Sequence, residues 1–148
     1  MEHGYKAAEL FLQGYNCAQA VMVAFADLTG LSEEFSAKLS CSFGGGMGRM
    51  REVCGAVSGM LMVAGLLYGY NDNDTGEKKA AHYALVQELS RQFREQAGHI
   101  VCREILKNPP SDPNPTPRTA EFYRIRPCAR MVLLAGEILD NYIENHPL

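Results

Sequence analysis

Apolar residues recur at helical spacing along most of the chain. Between residues 3 and 13, Ala7, Leu10 and Phe11 fall on one face, and Gly14 ends the pattern. Asn16 offers an N-cap to a second helix with Cys17, Val21, Ala24, Phe25 and Leu28 on one stripe, closed by Gly30. Ser32 caps a short helix with Glu33 and Glu34 in its first turn, where carboxylates suit the helix dipole. A glycine-rich approach, FGGGMGR from Phe43 to Arg49, then leads into Val53 to Gly69, VCGAVSGMLMVAGLLYG, which carries no charged side chain. The run is too long for a strand, and each glycine inside a helix costs about 1 kcal/mol relative to alanine. It predicts a buried central helix, apolar all round, with neighbours packed closely on Gly55 and Gly59 and on Gly65 and Gly69.

After Gly69 the segment YNDNDTG reads as a turn, and Asp74 with Glu77 resembles a capping box. The next predicted helix, about 75–97, has Ala81, Leu85, Leu89 and Phe93 on one side and Lys78, Glu88, Arg91, Arg94 and Glu95 on the other. Gly98 interrupts it, and HIVCREIL forms a short helix with Cys102, Ile105 and Leu106 facing together. Residues 108–118, NPPSDPNPTPR, hold five prolines and predict an extended surface loop, read as linkage, with a lid as the alternative. A last helix starts near Pro127, with Cys128, Met131, Val132, Ala135, Ile138, Leu139 and Tyr142 inward. With no strand pattern and no internal repeat, residues 1–148 read as one all-α domain of about six helices around the glycine-rich one.

Composition narrows the classes. Hydrophobic residues make up 47% and charged residues 21% of 148, within the range of a globular protein. A net charge of −3, with no basic stripe, argues against nucleic acid as a partner. The opening MEHGYKAAEL lacks the basic-then-apolar pattern of an export signal. The central run falls short of the roughly 20 apolar residues of a membrane span. A cytoplasmic protein without a span is the expectation.

The candidate chemistry lies in five cysteines: Cys17, Cys41, Cys54, Cys102 and Cys128. An odd number excludes complete internal pairing, and no CxxC occurs, so zinc-ribbon, ferredoxin and thioredoxin patterns are absent. Cys17, Cys54, Cys102 and Cys128 share a placement, each in or near the first turn of a predicted helix and on its apolar stripe. Unpaired N–H groups and the helix dipole there favour a thiolate, which is the nucleophile of disulfide exchange and a ligand for metals. Taken singly, each would pass for a small core hydrophobe; the recurrence points to a shared site.

The chain also resembles the C_GCAxxG_C_C family of small redox-active proteins, which have four cysteines and a CGAxxG motif. Here the motif is Cys54-Gly55-Ala56-Val57-Ser58-Gly59, preceded by FGGGMGRMREV (Phe43 to Val53), and GYNCAQAV (Gly14 to Val21) is similar to the first cysteine block. The resemblance makes Cys54, Cys17, Cys102 and Cys128 the redox set and leaves Cys41 accessory. It also implies association with transporters, beside whose genes members occur.

Other features carry less. Gly45, Gly46 and Arg49 are candidates for binding an anionic cofactor in a nest of amides, although close backbone passage beside Cys54 is the better reading of the glycines. Arg49 and Arg51 are placed to hold thiolates by charge. His99, three residues before Cys102, is a candidate further ligand or proton donor, with a surface role the plainer alternative. Two functions remain open. The first is a redox protein working by thiol–disulfide exchange, with Cys54 attacking, or as a four-cysteine metal centre holding an iron–sulfur cluster or zinc. Its electron donor and acceptor are not readable from sequence. The second is a non-catalytic module that self-associates or binds a transporter, with its cysteines only packed.

Overall fold

The computed structural model describes residues Glu2–Leu148, and the fold is all-helical. In chain order the helices are α1 (Glu2–Leu12), α2 (Cys17–Ala24), α3 (Ala26–Thr29), α4 (Glu33–Ser40), α5 (Gly44–Met47), α6 (Gly55–Tyr68), α7 (Glu77–Ala97), α8 (Cys102–Leu106), α9 (Ala120–Ile125) and α10 (Cys128–Asn145). The expected six elements are therefore cut more finely. Phe25 breaks the second predicted helix into α2 and α3. Residues 44–47 wind into one turn in which Gly45 and Gly46 have positive φ. Helix α9 had not been anticipated: Thr119 caps it by accepting the N–H of Phe122.

Sequence capping sets α2 firmly. The Asn16 side chain accepts the N–H of Gln19, and the Gln19 side chain accepts the N–H of Asn16. That reciprocal pair satisfies two otherwise orphaned donors. Six of the eight residues of α2 are buried, so α2 shares the centre of the molecule with α6. The two meet where α6 has no side chains: a Cβ on Gly59 would stand 2.9 Å from the Ala18 carbonyl oxygen, and one on Gly55 3.0 Å from Cys17 Cβ. Gly65 differs, with nothing within 4 Å of such a Cβ, and Leu66 beside it is 46% exposed. One face of the far end of α6 is thus open rather than enclosed. Close approach explains the first glycine pair and not the second.

Helix α10 closes the other side, lying along α1 with the backbones of Gly136 and Gly4 in contact range. Its stripe of Met131, Val132, Ala135, Ile138 and Leu139 is buried as the spacing predicts. Helix α7 is fully buried only in its second half, at Leu89, Ser90 and Phe93, with Leu85 half-buried and Ala81 exposed. Its start also departs from the expected box, since Gly76 is the N-cap and Asp74 instead accepts the N–H groups of Gly76 and Lys78. No helix among the described residues is long and apolar enough to cross a membrane.

Candidate functional site

Four helix starts carry the sulfur. Cys17, Cys102 and Cys128 are the first residues of α2, α8 and α10, and Cys54 is the N-cap of α6. One isolated antiparallel bridge, Val53 with Val101, ties together the two segments that carry Cys54 and Cys102. Across it the Cys54 N–H donates to the Ile100 carbonyl at 2.8 Å and the Cys102 N–H to that of Glu52 at 2.6 Å. The glycine loop makes room: at Gly46, where φ is +70°, a Cβ would fall 2.8 Å from Cys102 Cβ. Gly46 thus serves close passage, as the sequence indicates, but beside Cys102 rather than Cys54.

Together these elements enclose a cavity of about 310 Å³ whose wall includes all five cysteines. All five are free thiols. The rest of the wall combines Phe11, Ile105, Phe122 and Met131 with the guanidinium groups of Arg49, Arg51, Arg118 and Arg126, and it includes no carboxylate, lysine or histidine. His99, exposed, is not part of it.

The thiols differ in acidity. Burial pushes Cys54 up to about 12, and the amides of Ala56 and Val57 at the start of α6 only partly oppose this. Cys102 is raised by burial, against the pull of Arg51, whose Nη1 lies 3.6 Å from its sulfur. Cys17 and Cys128 face each other. The interaction of the two side chains, with burial, raises Cys17, and the same interaction lowers Cys128, to about 7. The assignment of the negative charge to Cys128 has an independent cause. Arg126, Arg118 and Arg51 all act on Cys128, whereas Cys17 is raised by burial and by the charges of Cys128, Cys54 and Cys102. The expectation of Cys54 as attacking thiolate therefore meets an obstacle in desolvation, which outweighs the helix start.

The matched region of the sequence can now be set on this geometry. Residues 15–142 match the model of the family described as "Putative redox-active protein (C_GCAxxG_C_C)". The chain belongs to this family. No curated protein and no solved structure shows a significant match. In this C_GCAxxG_C_C protein the matched region carries the four cysteines at helix starts and the glycine loop that brings the backbone against Cys102.

Among the described residues no group of three or more His, Cys, Asp or Glu side chains is arranged to hold a metal ion. Arg49, expected at a cofactor or a thiolate, lines the cavity and also fastens the proline-rich segment. Its Nε donates to the Asp112 carbonyl at 2.7 Å and its Nη1 to the Thr116 hydroxyl at 2.8 Å. Arg51 joins it by donating from Nε to the Pro110 carbonyl at 2.9 Å. With Pro113, Pro115 and Thr116 in the cavity wall, residues 108–118 are part of the site rather than mere linkage. Sequence reasoning missed Arg118, Phe122 and Arg126. The usable signal was Thr119 before AEFYR, a cap that starts α9 and holds Phe122 and Arg126 at the cavity.

Proposed function

We propose that this protein is a thiol-based redox carrier in which Cys128 is the attacking thiolate and Cys17 its resolving partner. The observation that supports it is the facing pair of thiols, one of them surrounded by guanidinium charge. Cys128 sulfur attacks one sulfur of a substrate disulfide, forming a mixed disulfide and expelling a thiolate that takes up a proton. Cys17 then gives up its proton and attacks Cys128 sulfur, and the second substrate thiol leaves. The substrate gains two electrons and two protons, and the protein holds a Cys17–Cys128 disulfide until a dithiol donor reduces it.

Cys54 and Cys102, buried and held protonated, are kept in reserve behind this pair. Free thiols at work suit a reducing compartment, so the reading is of a cytoplasmic protein. A transporter is a candidate partner through which such a carrier would act.

The test is trapping. Reduced Cys17→Ser protein treated with hydroxyethyl disulfide should accumulate one adduct on Cys128, while unaltered protein should proceed to an internal disulfide. Adducts confined to Cys41, or none at all, would favour the packed, non-catalytic module. A visible absorption band in protein purified without oxygen, lost together with thiol reactivity when iron is removed, would favour the metal centre.

A further inference from the structure

The cavity holds more positive charge than the thiols can answer. Arg49 is accounted for by Asp112, whose carboxylate lies 3.7 Å away. Arg118 donates to the carbonyls of Phe11 and Tyr15 at 2.8 and 2.9 Å and lies 4.2 Å above the Phe11 ring. Arg51 and Arg126 have no carboxylate partner among the described residues: both act on Cys128, and Arg51 donates from Nε to the Pro110 carbonyl. Arg51 is only 4% exposed, and its Nη2 is buried with no hydrogen-bond partner. The sulfur facing its Nη1 belongs to Cys102, which burial keeps neutral. Arg126 rests 5.3 Å over the Phe122 ring and pairs with no carboxylate among the described residues. A buried guanidinium with an unused donor is costly, and an anion seated against it removes that cost.

The remaining wall tells what carries the anion. Phe11, Ile105, Phe122 and Met131 offer apolar surface, and about 310 Å³ is far more than a lone inorganic oxyanion fills. The reacting sulfur of Cys128 lies on the same wall. We propose that the cavity receives a small organic disulfide bearing carboxylates, with a carboxylate on Arg51 and Arg126 and a sulfur presented to Cys128. This specificity rests on the exchange chemistry proposed above. The exchange itself is as balanced there: the carboxylated disulfide is reduced to two thiols while Cys17 and Cys128 are oxidised to a disulfide.

Three disulfides of similar size separate charge from reactivity: the dianionic 3,3′-dithiodipropionate, neutral hydroxyethyl disulfide and cationic cystamine. Oxidation rates of the reduced protein are divided by those of free mercaptoethanol with the same reagents. The dianion should be favoured over the neutral compound by about tenfold or more, with cystamine slowest, and Arg126→Gln should erase most of that preference. Equal relative rates for all three would overturn the anionic substrate and leave exchange standing. Failure of Cys128 to react with any of them would overturn exchange instead. Binding is then decided on Cys128→Ser protein by calorimetry with dithiodipropionate. Heat that disappears in the added Arg126→Gln variant supports the anion site, and absence of heat overturns it.

Discussion

Cys17 and Cys128 open two different helices, α2 and α10, and their thiols face each other at the cavity wall. The pairing polarises them in opposite directions, so one sulfur holds the proton that the other gives up. A hydrogen bond to a charged group contributes about 1.5–3 kcal/mol, or roughly one to two pH units. Replacing Cys17 by alanine should therefore raise the midpoint of Cys128 alkylation by about that much. Cys17→Ser, which keeps a donor, should raise it less. Alkylation followed by peptide mass spectrometry across pH 5–10 measures both.

The same polarisation links stability to pH. Cys128, at about 7 in the folded state against 9.0 ordinarily, leaves the unfolded chain holding more protons between those values, so its contribution rises with pH there. Cys54, raised from 9.0 to about 12, has the opposite sign: above pH 9 the unfolded chain ionises first and stability falls. Denaturant midpoints of the reduced protein should thus decline above pH 9, and Cys54→Ala should shallow that decline even while lowering stability overall. A decline of the same slope in Cys54→Ala would contradict the assignment.

Two glycines predict opposite signs. Alanine at Gly46 must adopt φ +70° and place its Cβ 2.7 Å from the Glu52 amide nitrogen and 2.8 Å from Cys102 Cβ. Left-handed strain and overpacking together should cost about 2–4 kcal/mol. Alanine at Gly65 has nothing within 4 Å and lies inside α6, so it should stabilise by about 0.5–1 kcal/mol. Urea unfolding of the two variants side by side is the measurement.

Arg49 holds residues 112–116 against the glycine loop through the Asp112 carbonyl and the Thr116 hydroxyl. Arg49→Ala should release the proline-rich segment, so that Cys102 in the adjoining wall alkylates several-fold faster while global stability changes little. Unchanged Cys102 labelling would mean that the prolines alone keep the segment in place.

Much of this could be read before folding because capping and periodicity are local. Asn16, Ser32 and the stripe of α10 mark their helices in the sequence itself, and the four helix starts place the cysteines without reference to a partner element. The site resisted where the cause is tertiary. Helix spacing sets Cys54 at a start that should acidify it, but its desolvation depends on α2 and the segment before α8 closing over it. Arg118 and Arg126 flank a helix of only six residues, too short to show a periodic stripe, and they matter only because that helix lands beside Cys128. Gly65 and Ala81 fit their apolar patterns, yet Ala81 is exposed and no described residue beyond the helix's own backbone comes within 4 Å of a Cβ at Gly65.

The most direct test is competitive labelling of all five thiols in the reduced protein, with a limiting iodoacetamide pulse at each pH and peptide mapping of every cysteine. Cys128 should titrate with a midpoint near 7. Cys54 should stay protected through pH 9. Cys54 labelling ahead of Cys128, or a Cys128 midpoint at the ordinary thiol value, would contradict the assignment of Cys128 as the nucleophile.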